Sequence, residues 1–232
     1  MEEDPMAMKT KTRKLAVTGM MTAIMIVMGT TPLGFIPIGP FKITIMHLPV
    51  IIGAILEGPV VGLVLGLFFG LFSLYQAVTA PTILSPLFMD PLVSVLPRMI
   101  IGLTSYYAYA GIERLFRNRN LSPLPLNAQD GRCKRFFKRT ANLLRSNTNS
   151  LSVGTSALVG TATNTVLVLG AIYLLHAASY AELMGIKPAV VSATLISTAV
   201  VNGVPECLTA IVVTTAVVLA VKKIKFPRKG AA

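Results

Sequence analysis

The sequence has no tryptophan, and its 232 residues include only two histidines, two cysteines and nine acidic residues. Cys133 and Cys207 lie far apart, outside any Cys-x-x-Cys pair or Cys/His cluster, so neither a disulfide nor a metal site is expected. An intramembrane enzyme would need paired acids, a Ser/His set or a metal cluster, and the scattered acids do not supply one. We therefore expect no catalytic residue, no metal and no cofactor.

The sequence also has no G-x-x-x-x-G-K-[ST] loop, which excludes nucleotide hydrolysis by that route. It has no internal repeat with matched interrupted helices, a feature typical of self-sufficient secondary transporters. If the chain moves a solute uphill, a partner must therefore supply the energy. A channel subunit is an alternative, but it would need rings of charge or carbonyl groups around an axis.

Hydrophobic residues are abundant, at 53% of the chain against 13% charged residues. This is more apolar surface than a soluble domain of this size could bury, which indicates a lipid bilayer as the environment. A hydrocarbon core of about 30 Å needs about 20 apolar residues per helix, and fewer where protein encloses the helix. We predict an all-α membrane protein, a single integral membrane domain over residues 1–232, with six transmembrane helices at 14–28, 43–56, 60–77, 91–112, 151–175 and 189–221.

Loops are predicted where glycine and proline accumulate. Prolines and glycines in the stretch 29–40 exclude a regular helix, and a second outer loop is expected at 78–90. A third outer loop should contain Glu182 and Lys187. The last apolar run is longer than a bilayer requires, so its first part should project outward or bend.

The net charge of +12 is concentrated in three places. Eighteen of the 21 Lys and Arg residues lie before the first span, between Arg114 and Arg145, or after the last span. The positive-inside rule therefore predicts that both termini and the basic loop 113–150 are cytoplasmic. This distribution reflects topology, so no nucleic-acid partner is expected, and the basic loop is expected to be solvated and close to anionic lipid headgroups.

Arg98 is the leading candidate for a binding residue, because an ionisable group inside a span is costly and often functional. It lies about 11 Å from the outer start of the fourth span, at 1.5 Å per residue. Its guanidinium could act as a fork of donors for a ligand carboxylate or carbonyl. The alternative is a structural ion pair with Asp90 or Glu206.

Asn202 and Glu206 are four residues apart and share one helix face. Asn164, on the fifth span, is expected at a similar outer height. Pro205 frees a backbone carbonyl at the same level, which requires protein, water or ligand to satisfy it. These groups could line a binding site, or the asparagines could simply join helices.

Further binding candidates lie on the outer loops. A lid over an apolar part of a ligand could be formed by residues of the first outer loop (Phe35, Phe41, Lys42) and residues around the second (Tyr75, Gln76, Phe88), although interfacial anchoring would also explain the aromatic residues. His47 is more consistent with a structural role than with ligand contact. On the first span, the G-x-x-x-A spacing of Gly19 and Ala23 would let another helix approach closely, either within this chain or from a partner.

These patterns together resemble a substrate-binding S component of an energy-coupling factor (ECF) vitamin transporter, over the region from Lys14 to Val221. The resemblance is carried by the Gly19/Ala23 spacing, Pro-Leu-Gly-Phe-Ile-Pro-Ile-Gly-Pro at 32–40, His-Leu-Pro-Val-Ile-Ile-Gly-Ala at 47–54, and Asn-Gly-Val-Pro-Glu at 202–206.

The resemblance implies a multi-pass protein of a prokaryotic cell membrane that captures a water-soluble vitamin from outside. Such a protein topples in the membrane when it docks to two ATPase subunits and a helical scaffold subunit. Small residues on the first span face the scaffold in that family, which maps here onto Gly19 and Ala23. Glycine replaces the usual alanine at position 19, so the contact would be looser or shifted toward Ala16.

The loop and second-span pattern most resembles the pantothenate-type branch of this family. A single cation at Arg98 suits a small carboxylate ligand. Riboflavin, cobalamin and folate binders share the same architecture and remain alternatives, although a chain without tryptophan offers little aromatic stacking for riboflavin.

Overall fold

The computed structural model describes residues 5–31, 34–38, 41–117 and 148–225. Within these ranges the helices are α1 (Pro5–Thr30), α2 (Leu48–Glu57), α3 (Pro59–Thr79), α4 (Ser85–Phe88), α5 (Pro91–Ser94), α6 (Leu96–Arg117), α7 (Thr148–Met184) and α8 (Val191–Lys225). A 3₁₀ turn at Pro188–Val190 precedes α8. The protein is therefore predominantly helical, as the composition predicts.

A short antiparallel hairpin departs from the all-α prediction. Strands β1 (Phe35–Ile38) and β2 (Phe41–Thr44) pair so that Phe35 lies opposite Thr44. Pro37 lies within β1, which is possible because a strand with one open edge tolerates the missing N–H group. The prediction of a non-helical stretch after the first span is confirmed, but the prolines did not reveal its strand pairing.

Three described helical segments are long and apolar enough to cross a membrane: Pro59–Thr79, Ser150–Met184 and Pro188–Lys222. They coincide with the third, fifth and sixth predicted spans. The fifth continues through Met184, so Glu182 lies in a helix and only Lys187 lies in the predicted third loop. The last apolar run was expected to project outward or bend in its first part. The helix α8 that it forms is continuous from Val191 to Lys225, with Pro205 in its interior.

The second predicted span is shorter than expected. Residues 43 and 44 belong to β2, and α2 begins only at Leu48. Nearly every residue of this 10-residue helix is buried. Because neighbouring helices surround α2, it does not need the length of a helix that faces lipid. Gly58, with φ of +103°, makes the one-residue turn from α2 to α3 in a conformation that favours glycine.

Helices α3 and α6 touch through their backbones. A Cβ atom placed on Gly102 would lie 2.3 Å from the carbonyl carbon of Gly62, and one on Gly66 would lie 2.3 Å from the carbonyl oxygen of Arg98. One turn further along α3, a Cβ atom on Gly70 would lie 2.7 Å from the Cα atom of Val95. Glycines spaced by four residues therefore give α3 a flat face on which α6 runs antiparallel.

The predicted fourth span is interrupted near its outer end. Helix α5 ends at Ser94 and α6 begins at Leu96, so Pro97 occupies the first turn of α6, where its missing N–H group costs nothing. Helix α7 is kinked at His176, whose φ of −134° and ψ of 25° are not helical. Most of the predicted basic loop 113–150, including Cys133, lies outside the described residues.

The buried apolar side chains form two clusters. The larger one is built around α2 and includes side chains of α1, α3, α6, α7 and α8. The smaller one joins α4 and α5 to the neighbouring parts of α7 and α8, through Leu87, Val93, Ile172 and Leu195. The second cluster fixes the segment 85–94 beside the start of α6, where Arg98 lies.

Candidate functional site

Arg98 is buried in the first turn of α6, with 7% of its surface exposed. Its Nη1 atom donates a 2.5 Å hydrogen bond to the carbonyl oxygen of Val93. Its guanidinium carbon lies 5.7 Å from the ring centroid of Phe69 and 5.6 Å from that of Phe88. Among the described residues, no group pairs with its buried Nε atom. One edge of the guanidinium is therefore available to an acceptor.

Glu206 on α8 is also buried, and it binds the end of the hairpin. The backbone N–H group of Thr44 donates a 2.8 Å hydrogen bond to Oε1 of Glu206. Glu206 and Arg98 are close enough to interact electrostatically. Their side chains do not form an ion pair within the described chain, however, so Glu206 does not occupy the open edge of Arg98.

Asn164 on α7 is 6% exposed, and its Oδ1 atom is a buried acceptor without a hydrogen-bond partner in the described ranges. One turn earlier, Thr161 Oγ1 lies 3.0 Å from Nε2 of His47, which joins α7 to the start of α2. Next to Asn164, a Cβ atom on Gly203 would lie 3.7 Å from the side chain of Thr165. Helices α7 and α8 therefore meet at the level of Asn164, close to Glu206.

The alternative of an ion pair between Arg98 and Asp90 is not supported. Asp90 instead lies 3.0 Å from Nε2 of His176, at the kink of α7. Its other oxygen accepts a 2.9 Å hydrogen bond from the N–H group of Leu92. The hydrogen bond from the Leu92 N–H group has the largest effect in lowering the pKa of Asp90 below its ordinary value, and the hydrogen bond with His176 has the next largest. Asp90 therefore fixes the segment 85–94 and does not pair with Arg98.

Phe69 is a neighbour of Arg98 that sequence reasoning did not single out. It looks like one more apolar residue of the third span, and nothing in the sequence shows that its ring reaches Arg98. The signal that could have found it is its position between Gly66 and Gly70, which bring α3 onto the backbone of α6 beside Arg98.

A separate groove of about 660 Å³ lies between α7 and α8. It is lined by residues from 150–158 and 211–216, including Leu151, Gly154 and Val212. These residues precede Asn164 and follow Glu206, so the groove lies toward the other end of the two helices. It is distinct from the group formed by Arg98, Asn164 and Glu206.

Arg98 on α6 and Asn164 on α7 thus each keep a buried polar atom without a partner among the described residues. The sequence matches the family model of the ECF transporter, substrate-specific component, from residue 13 to residue 221. The chain belongs to this family. As a substrate-specific S component, it is a transport subunit and not an enzyme, and it is a multi-pass protein of the cell membrane.

Two relatives of this S component have names that specify a substrate. The chain is 30% identical to the pantothenic acid transporter PanT of Lactococcus lactis subsp. cremoris, over 93% of this chain and 96% of the relative. It is 35% identical to the pantothenate transporter PanT of Leuconostoc mesenteroides subsp. mesenteroides, over 47% of this chain and 55% of the relative.

The other predicted binding residues of the S component are not all placed together. Asn202 is half-buried, one turn before Glu206, and its amide forms no hydrogen bond with another described residue. Gln76 is half-buried and donates a 2.7 Å hydrogen bond to the carbonyl oxygen of Gly29, which ties α3 to the end of α1. Tyr75 is 59% exposed and its ring packs against Phe72.

Two lid candidates lie on the hairpin of the S component. Phe35 is the first residue of β1, and Lys42 lies in β2 opposite Pro37. Their side chains lie outside the described part of the structure, so their contacts stay predictions. His47 is fully buried, with Nε2 3.0 Å from Oγ1 of Thr161, while its Nδ1 has no hydrogen-bond partner among the described residues, so its structural role stays a prediction.

The small-residue face of α1 points away from the rest of the S component. Ala16, Gly19 and Ala23 are exposed, and a Cβ atom on Gly19 would meet nothing within 4 Å in the described structure. Helix α1 packs on the larger apolar cluster through Met21 and Met25, which are 7% and 2% exposed. The G-x-x-x-A spacing is therefore not used to pack α1 against another described helix of the chain.

Proposed function

We propose that this S component captures pantothenate from outside the cell and delivers it inward when an ATP-driven ECF module is coupled to it. The observation that carries the proposal is the similarity to the pantothenic acid transporter of Lactococcus lactis, which extends over 93% of this chain. The partly unpaired buried guanidinium of Arg98 supports it, because pantothenate is a small carboxylate.

The proposed ligand offers partners of the right polarity for two of the unpaired buried groups, Nε of Arg98 and Oδ1 of Asn164. Pantothenate carries a carboxylate at one end and an amide and two hydroxyl groups along its length. The carboxylate would accept from Arg98, and an N–H or O–H group of the ligand would donate to Oδ1 of Asn164. A buried polar group without a partner costs about 1–3 kcal/mol, so a ligand that pairs both groups gains differential affinity over one that pairs neither.

The remaining site residues belong to the same proposal. Asn202 and Glu206 would border the ligand from α8, since they share one face of that helix. Phe35 and Lys42 on the hairpin, with Tyr75 and Gln76 at the end of α3, would surround the outer entrance. The hydrogen bond from Thr44 to Glu206 supports this placement, because it brings the hairpin against α8 beside the site.

We further propose six spans with both termini in the cytoplasm. Helices α1, α2 and α6 would complete the set begun by α3, α7 and α8. Nη2 of Arg13 lies 2.6 Å from Oε2 of Glu57, so the start of α1 lies beside the end of α2. Lys222 donates a hydrogen bond to the hydroxyl of Tyr109, so the ends of α6 and α8 are also adjacent. Alternating spans with both termini in the cytoplasm would place all four of these ends on the cytoplasmic side.

The energising module in this proposal consists of two ATPase subunits and a helical scaffold subunit. The exposed face of α1 formed by Ala16, Gly19 and Ala23 would contact the scaffold. Small residues suit such a contact, because they let two helix backbones approach closely within the membrane.

Ligand-dependent thermal stabilisation tests the proposed substrate. Detergent-purified protein is melted with pantothenate, riboflavin, folate or cobalamin over a range of concentrations. We expect pantothenate alone to raise the melting temperature, by an amount that grows with its concentration, since a ligand at 100 times its Kd stabilises the native state by about 2.7 kcal/mol. Stabilisation by another vitamin instead would overturn the assignment to pantothenate. An unchanged melt with every vitamin, together with no association with ATPase subunits, would overturn the capture function itself.

A further inference from the structure

We propose that Phe69 and Phe88 are positioning residues, which hold the guanidinium of Arg98 so that its Nε/Nη2 edge faces the carboxylate of the ligand. The inference rests on the proposed function, because it concerns how that site recognises an anionic group. It assigns a role in substrate selectivity to two residues that carry no polar group.

The two rings come from different parts of the chain and share the same cation. The guanidinium carbon of Arg98 lies within 5.7 Å of both ring centroids, one on α3 and one on α4. A cation near the face of an aromatic ring is attracted to the negative potential of that face, most strongly when water is excluded. Arg98 is 7% exposed and Phe69 is 4% exposed, so this attraction acts in a dry environment.

The existing hydrogen bond of Arg98 determines which edge is open. A carboxylate that binds with two parallel hydrogen bonds needs two neighbouring N–H groups, which a guanidinium offers at its Nη1/Nη2 edge or its Nε/Nη2 edge. Nη1 already donates to the carbonyl oxygen of Val93. Nε is buried without a partner in the described chain. The Nε/Nη2 edge is therefore the one left for a bidentate ligand.

The positions of both rings are determined by contacts that do not involve the ligand. Gly66, three residues before Phe69, brings the backbone of α3 onto the carbonyl group of Arg98. Phe88 is fixed by its backbone, because the hydroxyl group of Ser94 donates a hydrogen bond to its carbonyl oxygen. The rings of Phe69 and Phe88 therefore flank Arg98 without help from the ligand. This lowers the entropy that the long arginine side chain loses when the ligand binds.

The test compares two ligands that differ only at the anionic end. Affinities of the purified protein for pantothenate and for its primary-alcohol analogue, in which CH₂OH replaces the carboxylate, are measured by calorimetry. The variants are Phe69→Leu and Phe88→Leu, and the matched control is Phe68→Leu, a residue on the same helix that is 43% exposed. Phe88→Tyr is a second control, because it keeps an aromatic ring at position 88, which Phe88→Leu removes; Phe88 is half-buried, so the added hydroxyl group can be accommodated.

The expected result is a loss confined to the carboxylate. Phe69→Leu and Phe88→Leu should each weaken pantothenate binding about tenfold, the scale of a desolvated cation–π contact. Binding of the alcohol analogue should be unchanged, and both Phe68→Leu and Phe88→Tyr should bind pantothenate as the wild type does. A structural role would weaken both ligands equally.

Three results would overturn the inference, and they differ from one another. Equal weakening of both ligands, or no weakening in either leucine variant, removes the positioning role and leaves pantothenate capture intact. A wild type that binds both ligands with equal affinity removes the contact between Arg98 and the carboxylate. A wild type that binds neither ligand removes the proposed function and this inference with it. If Phe69→Leu does not fold, the Phe88 pair of variants decides the question.

Discussion

The backbone N–H group of Thr44 donates to Oε1 of Glu206 across a separation of 162 residues. This hydrogen bond joins the end of the hairpin to the middle of α8. Glu206 therefore has a backbone partner on the hairpin, and it forms no ion pair with Arg98 within the described residues. This contact attaches the hairpin to α8 beside Arg98.

Replacement of Glu206 measures how much its hydrogen bond with Thr44 stabilises the fold. Hydrogen bonds to charged groups contribute about 1.5–3 kcal/mol, so Glu206→Ala is expected to lower the free energy of unfolding by roughly that amount. Glu206→Gln keeps a carbonyl acceptor for the N–H group of Thr44 and should retain a large part of it. Denaturant titration of the detergent-purified variants measures the difference. Equal destabilisation in both variants would show that the Thr44 contact contributes little.

Arg98 is expected to dominate affinity for an acidic ligand. Loss of one partner of a buried, hydrogen-bonded charge pair costs about 2–5 kcal/mol, so Arg98→Ala should weaken pantothenate binding by a factor on the order of 100 or more, with normal expression. Arg98→Lys keeps the charge but loses the planar fork, and should bind with intermediate affinity. Arg114→Ala, which removes an exposed cation at the other end of the same helix, is the control. Unchanged affinity in Arg98→Ala would exclude Arg98 from the site.

The contact between α3 and α6 predicts opposite effects for two glycines on one helix. In Gly102→Ala the new methyl group would lie 2.3 Å from backbone atoms of Gly62, which cannot move aside. Overpacking of this kind costs about 1–3 kcal/mol. In Gly111→Ala the methyl group would meet nothing within 4 Å in the described structure, and the helix should gain up to about 1 kcal/mol. Thermal melts of the two variants check the pair, and similar melting temperatures would contradict the described packing.

The exposed face of α1 should matter for transport but not for ligand binding. Gly19→Leu and Ala23→Leu add bulk where close helix approach is proposed, so we expect loss of co-purification with the ATPase subunits and loss of vitamin uptake in cells. Ala162→Leu makes a comparable change at an exposed position of α7 and should leave both intact. Pantothenate affinity of all three purified variants should equal that of the wild type. Full uptake in Gly19→Leu and Ala23→Leu would exclude this face as the docking surface.

Much of the helical framework could be predicted from the sequence. Long apolar runs predict helices α3, α7 and α8, because the backbone of a membrane-spanning segment must satisfy its own hydrogen bonds. The boundaries were less predictable. The apolar run at 43–56 is split because residues 43 and 44 pair with β1, a choice that depends on a partner strand and not on local composition.

The candidate site was predictable only in part. Arg98 and Asn164 stand out in the sequence because polar groups are rare in apolar runs, and both are buried with unpaired atoms within the described structure. Gln76 also stands out, yet its amide donates to Gly29 and so serves the end of α1. The sequence could not distinguish these cases, because a polar residue in a span can bind a ligand or another helix with the same chemistry.

By itself, the sequence determined that this protein lies in a membrane, roughly where its long helices run, and that Arg98, Asn164 and Glu206 are unusual polar residues within apolar runs. These properties follow from the cost of placing charged and unpaired polar groups in hydrocarbon, which depends only on residue type and order along the chain. The tertiary structure alone decided that two phenyl rings flank Arg98, that Glu206 accepts from the N–H group of Thr44, and that Nε of Arg98 has no partner among the described residues. Those relationships depend on how closely helices far apart in the sequence approach each other, and backbone contact at Gly66 is what brings Phe69 to Arg98.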